Sequence, residues 1–141
     1  METDKPKNFC GKVAIKIFLI DKQGNLLVVR QKQDEPFEVP GGRVDENESI
    51  EQTVGREIYE ELDISVENVK YEILNSFQAN NPNENINHFY LILKIDIDDE
   101  LVAQMKRTVE VVEMVWVNKE NYKNYTFRKF LNESIINFIN K

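Results

Sequence analysis

Apolar residues run from Val13 to Ile20 with one interruption at Lys16 (VAIKIFLI), and again from Leu26 to Val29 ahead of Arg30 (LLVVR). Short runs of this kind, rich in branched side chains and closed by turn residues, predict strands. The intervening DKQGN, with Gly24 and Asn25, suits a hairpin turn, so two antiparallel strands are expected. Further strand candidates are 69–79 (VKYEILNSFQA), 88–97 (HFYLILKIDI) and 109–117 (VEVVEMVWV), the first two separated by a turn-rich loop, NNPNENIN, at 80–87.

Elsewhere the period lengthens. Ile50, Val54, Ile58 and Leu62 recur every four residues and form a helical stripe. Ser49 and Gln52 have the spacing of a capping box, which places the helix start near Ser49 and leaves Pro40-Gly41-Gly42 outside it. From Phe127 onward, apolar residues at 127, 130, 131, 135, 138 and 139 predict a second amphipathic helix that covers one face of the sheet.

Composition narrows the class. A chain of 141 residues, 41% hydrophobic and 30% charged, reads as a single globular domain over 1–141. No apolar run reaches the roughly 20 residues of a membrane span, and the polar opening METDKPKN lacks the apolar core of a leader, so a cytoplasmic protein is expected. The lone cysteine, Cys10, excludes an internal disulfide and reads as a partly buried small apolar residue. Against a net charge of −7, an extended nucleic-acid surface is not expected, because phosphate binding needs clustered Lys and Arg.

The distribution of that charge is more telling than its sum. Between Asp45 and Asp63 lie eight acids and one base, Arg56, so this stretch accounts for the whole net charge. Glu57, Glu60 and Glu61 share one helical face of about 100° near the helix C-terminus. Acids there oppose the helix dipole at about 0.3–1 kcal/mol each, and the i, i+4 pair Glu57–Glu61 adds a few tenths more. A divalent cation bound by these carboxylates would reverse both effects. The twelve-residue calcium loop does not match: counted from Asp45, Ile50 stands where glycine is needed and Arg56 where glutamate is needed. With His88 as the one histidine, zinc is poorly served. An all-oxygen set suits Mg²⁺, with Mn²⁺ as an alternative, completed by substrate phosphates.

At this point the chain resembles the signature of the MutT-like Nudix hydrolases, a glycine, five residues, a glutamate, seven residues, then R-E-U-x-E-E-x-G-U with U aliphatic. Gly42, Glu48, Arg56, Glu57, Ile58, Glu60, Glu61 and Ile64 match, and Asp63 stands where the family has glycine. The resemblance implies an α/β protein with the Nudix fold, an α/β/α sandwich around a mixed β-sheet. It also implies Mg²⁺-dependent hydrolysis of a diphosphate bond in a nucleotide or in a nucleoside diphosphate linked to another moiety, with water attacking phosphorus.

Carried over position by position, Glu57, Glu60 and Glu61 are expected metal ligands, joined by the backbone carbonyl of Gly41, and Arg56 with Glu48 is expected to orient the helix. Glu113 is a candidate general base and Glu110 a weaker one. Arg30 and Arg43 are candidate phosphate contacts; His88, Trp116, Phe89 and Tyr90 read mainly as structural, with one ring available to stack on a base. The expected partner is a small nucleotide diphosphate, gripped outside the motif by the loop at 80–87; a homodimer stays open beside a monomer. Two other readings stand alongside: a silent Nudix-fold module that binds nucleotide without turnover, and a pyrophosphohydrolase of RNA 5′ ends. Asp63 is expected just past the helix at positive φ, at a cost of about 1 kcal/mol relative to glycine.

Overall fold

A computed structural model describes residues 6–141; the first five residues of the polar opening lie outside it. Six strands form one mixed sheet: β1 (Lys12–Ile20), β2 (Leu26–Arg30), β3 (Gly41–Arg43), β4 (Glu72–Asn81), β5 (Ile86–Asp96) and β6 (Glu113–Val117). Their order is β4-β5-β1-β2-β6, with β3 paired to β1 off this path. β1 runs parallel to β5, in register from Lys12 opposite His88 to Ile20 opposite Asp96, and every other pairing is antiparallel.

Among the described residues three α-helices, α1 (Ile50–Leu62), α2 (Asp99–Gln104) and α3 (Lys129–Ile139), and a 3-10 turn at Tyr122–Asn124 complete the fold. α1 packs on one face of the sheet, where Val54, Ile58 and Leu62 meet Ile15, Ile17, Leu19 and Leu93. α3 covers the other, with Leu131 and Ile135 against Phe18, Leu26, Val28 and Ile92. Because both faces are covered, β1 is buried at every position from Ala14 to Ile20, which accounts for its unbroken apolar run. Of the four stripe residues of α1, Val54, Ile58 and Leu62 are fully buried and contribute about 1.5–3 kcal/mol each, while Ile50, in the first turn, is partly buried.

The α1 boundaries agree with the sequence reading. Ser49 is the N-cap: its side chain accepts from the Gln52 backbone N–H at 3.1 Å while the Gln52 side chain accepts from the Ser49 N–H at 2.8 Å. Other elements differ. β4 begins at Glu72 rather than 69, and β6 begins at Glu113, because residues 105–112 turn back to cap the C-terminus of α1. In that loop the Lys106 N–H donates to Leu62 O and the Thr108 hydroxyl to Glu60 O. Half of the expected loop at 80–87 is ladder, with Asn80 opposite Asn87 and Asn81 opposite Ile86, leaving a tight turn at 82–85. Cys10 is exposed rather than partly buried, since it precedes β1 outside the sheet.

Asp63 closes α1 in the left-handed region, φ 57° and ψ 34°, its N–H donating to Tyr59 O. The expected positive φ is therefore found, and the charge also sits at the negative end of the helix dipole. Replacing Asp63 with glycine removes both penalties and should stabilise the fold by about 0.5–1 kcal/mol. A urea midpoint that rises at constant slope would show it, and an unchanged or lower midpoint would contradict it.

Candidate active site

The site is assembled where β3, the loop that follows it and the last two turns of α1 meet. Gly41 has φ 147°, and a side chain there would collide with the Ile15 carbonyl; its N–H donates to Glu61 Oε2 at 2.9 Å. A Cβ on Gly42 would run into the Glu57 carboxylate. Gly41 therefore lets β3 close onto β1 with its N–H aimed at Glu61, and Gly42 lets the Glu57 carboxylate lie directly against the loop backbone.

Arg56 organises the rest. Its Nε and Nη2 donate to Glu48 Oε2 and Oε1 at 2.8 and 2.9 Å, a bidentate fork. Nη2 also donates to the Arg43 carbonyl at 2.9 Å, and Nη1 donates to Glu57 Oε1 at 2.8 Å and Glu60 Oε1 at 3.2 Å. A guanidinium has five N–H donors, and here each has an acceptor. Glu48 is fixed in turn by the Asp45 N–H at 2.8 Å and the Thr53 hydroxyl at 2.9 Å. The structure thus brings together Gly41, Glu48, Arg56, Glu57, Glu60 and Glu61.

Their protonation follows from these contacts. The bonds from Arg56, then the Asp45 N–H, hold the Glu48 carboxyl down at about 2. The Arg56 guanidinium is held more firmly protonated by Glu48. Burial pushes Glu57 up against the opposing charge of Arg56, with Glu60 and Glu110 adding to the rise. Glu61 is pushed up to about 8, mainly by burial, although the Gly41 N–H pulls the other way.

Whether these residues suit a hard cation can be tested on the donor set. Glu57 and Glu60 each use only Oε1 in the bonds to Arg56, and Glu61 uses only Oε2 toward Gly41. Each carboxylate so keeps one oxygen for a ligand, and burial raises Glu57 and Glu61 in the way a nearby cation would reverse. Among the described residues no three His, Cys, Asp or Glu side chains converge closely enough to hold an ion as they stand. The donor chemistry, carboxylate oxygens with a backbone carbonyl, is the kind that Mg²⁺ or Mn²⁺ takes.

Other candidates lie elsewhere. Glu113, on β6, faces Arg30 on β2 and is ion-paired with it, while the Arg30 guanidinium also stacks 4.6 Å from the Phe37 ring. Glu110 is the acid of that region whose charge reaches Glu57. Trp116 packs against the core on the α1 side. His88 is buried and bonded to Arg43.

A network absent from the sequence reading lies on the α3 face. Lys16 Nζ donates to Glu38 Oε1 at 2.6 Å, and Arg128 bridges Glu38 Oε2 at 3.0 Å and Glu35 Oε2 at 2.7 Å. Lys16 sits opposite Gly41 in the β1–β3 register, and its charge and that of Glu38 both reach Glu61. The one visible signal was a lysine interrupting an otherwise apolar strand.

The family model for the NUDIX domain matches residues 12–138. The chain belongs to the NUDIX family. Among curated proteins no sequence matches it. Solved structures with the same fold include a MutT protein from Methanosarcina mazei Go1, 19% identical over 90% of this chain and 91% of that one, with a TM-score of 0.72. The E. coli dihydroneopterin triphosphate pyrophosphohydrolase is 17% identical over 90% and 94%, TM-score 0.69. A NUDIX family hydrolase from Clostridium perfringens is 15% identical over 94% and 98%, TM-score 0.71. At these identities the likeness establishes the Nudix fold, so the chemistry must be argued from this chain's own residues.

Three outcomes are expected. Arg56→Lys keeps the charge but loses the fork, and should cost about 2 kcal/mol in urea unfolding; a cost near zero would show that the donors are not needed together. For Glu61, ionisation is disfavoured in the folded state but free in the unfolded chain. Metal-free Glu61→Gln should therefore gain stability relative to wild type as pH rises from about 4.5 to about 8. Millimolar Mg²⁺ or Mn²⁺ should raise the Tm of wild type more than that of Glu57→Gln or Glu61→Gln, and equal shifts would remove these carboxylates from metal binding.

Proposed function

We propose that this NUDIX chain is a Mg²⁺-dependent hydrolase that opens the diphosphate bond of a nucleotide, or of a nucleoside diphosphate linked to another moiety. The observation that carries the reading is the saturated Arg56, which holds Glu57 and Glu60 by one oxygen each while Gly41 holds Glu61 in the same way. Glu57, Glu60 and Glu61, with the Gly41 carbonyl, would hold the cation. When bound it supplies Lewis acidity and charge neutralisation for the phosphoryl oxygens and lowers the pKa of water.

The remaining work belongs to the chain. Arg56 and Glu48 keep the carboxylates in register with the loop. A proton acceptor is needed, and Glu110 and Glu113 are the two candidates: Glu110 lies within electrostatic reach of Glu57, whereas Glu113 is engaged with Arg30. The organic moiety is assigned to a cavity of about 420 Å³ between the β4–β5 turn, the loop at Pro36 and the start of α3. Tyr90 and Phe130 supply ring faces there and Asn80, Asn81 and Asn83 supply amides, while the charge of Arg128 is taken up by Glu35 and Glu38. The Lys16 ammonium, 5.8 Å from the Phe130 ring, lies between this cavity and the loop of Gly41.

A phosphate-release screen with Mg²⁺ and Mn²⁺ across nucleoside triphosphates, ADP-ribose, dinucleoside polyphosphates, nucleotide sugars and triphosphorylated or capped RNA tests the reading. Turnover of at least one class is expected, and Glu57→Gln should lower kcat by 100-fold or more while leaving unfolding unchanged within about 1 kcal/mol. Full activity in Glu57→Gln would sink the assignment. Nucleotide binding without turnover by wild type would favour the silent module, and activity confined to RNA would favour the 5′-end enzyme.

A further inference from the structure

We propose that Arg43 is a positioning residue that ties the β4–β5 turn to the carboxylate loop, making residues 80–87 a specificity element whose placement it sets. The proposal rests on the hydrolase reading above. Arg43 ends β3, two residues beyond Gly41, and its carbonyl accepts from Arg56 Nη2 at 2.9 Å. Its side chain reaches toward the opposite element: Nη2 donates to Glu84 Oε1 at 2.6 Å and Nε donates to His88 Nε2 at 3.0 Å. One residue therefore touches Arg56, the guanidinium that holds the carboxylates, through its backbone, and the β4–β5 hairpin behind the cavity through its side chain.

Each end of this strut is defined by further contacts. Accepting from Arg43 assigns the unprotonated nitrogen of His88 to Nε2, so the proton is on Nδ1, facing the Ile86 carbonyl at 3.3 Å. The buried imidazole stacks on Tyr90, centroids 5.5 Å apart and planes 16° apart, and Tyr90 lies 4.8 Å from Phe130. Both rings line the cavity. At the turn, Glu84 Oε1 is shared between Arg43 and the Asn81 side-chain amide at 3.0 Å, while Asn81 Oδ1 accepts from the Asn83 N–H at 3.0 Å. Asn81 and Asn83 also line the cavity.

The Arg43–Glu84 pair is half exposed, 40% and 45% for the two side chains, so it adds little to global stability. What it controls is the position of a turn on the sheet's edge hairpin relative to the carboxylates. Such a brace affects how well the organic moiety is held, more than the reaction once it is bound.

The experiment compares Arg43→Ala, Glu84→Ala, the double variant and Arg43→Lys. Amide hydrogen exchange over 80–87 in the free protein and steady-state kinetics on the substrate class found by screening are the two readouts. Both single substitutions are expected to speed exchange at 80–87 about tenfold and to raise KM several-fold, with kcat within twofold. The double variant should be no worse than the worse single, and Arg43→Lys, which keeps the charge toward Glu84 but not the Nε bond to His88, should fall between. Unchanged exchange in either single variant would overturn the proposal. So would faster exchange with unchanged KM, or a kcat loss in Arg43→Ala with Glu84→Ala like wild type, which would mean a direct phosphate contact. If wild type turns over nothing, the hydrolase reading fails instead, and exchange alone decides whether Arg43 holds the turn.

Discussion

The bidentate pairing of Arg56 with Glu48 is the constraint on which the site depends. Three carboxylates crowded at the negative end of a helix repel one another and oppose the helix dipole, so α1 is least favoured electrostatically in its last turns. One guanidinium with all five donors engaged relieves part of this, and Glu48 anchors that guanidinium from the start of the same helix. The relief is incomplete, because Glu57 and Glu61 remain raised by burial. Stability comes from elsewhere: the buried stripe of Val54, Ile58 and Leu62, and the capping box at Ser49, hold α1 against the sheet irrespective of the state of its acids.

The sheet carries this arrangement outward. β1 has three partners, β2, β3 and β5, and its pairing with β3 places Gly41 beside Lys16 and Arg43 beside Ala14. Residues alternate along a strand, so Ile15 and Ile17 support the carboxylate helix while Lys16 and Phe18 face α3. A short strand thereby connects two surfaces of different character. On one side lies an acidic helix face. On the other lies a cleft in which Lys16, Glu38, Arg128 and Glu35 largely cancel one another's charge.

How much of this could be read from sequence depended on whether local pattern or long-range pairing sets the residue's place. α1 was legible to its ends because the stripe, the cap and the carboxylate spacing are all local. The central strands were legible because burial on two faces leaves continuous apolar runs. β3 was not, since GGR has no period and becomes a strand only by pairing with β1. α2 was missed for a related reason: it buries none of its residues and is started by the Asp98 cap. Sequence ranked Glu113 above Glu110 as a proton acceptor, but it carried no sign of the long-range partners of either acid. The β2–β6 register sends Glu113 to Arg30, whereas Glu110 follows the loop bonded through Thr108 to the end of α1 and its charge adds to the rise at Glu57. Arg43 and His88 were single residues with no local signal, and only the hairpin's return brings His88 and Glu84 to Arg43.

The distribution of charge bears on substrate as well as stability. A self-neutralised cleft neither attracts nor repels a diphosphate strongly at long range, whereas the α1 face, which carries the excess acid, repels it. An anionic substrate would therefore be disfavoured by the bare protein, and the balance changes sign only when divalent charge is added at the carboxylates. Under the proposed reading, affinity for the nucleotide and affinity for the cation must then be positively coupled, each raising the other by the same factor. On the same reading the coupling need not extend to the organic moiety, which would be held in the cleft by rings and amides. That separation between charge at the helix and shape at the hairpin requires a rigid link between the two, and the contacts of Arg43 supply one.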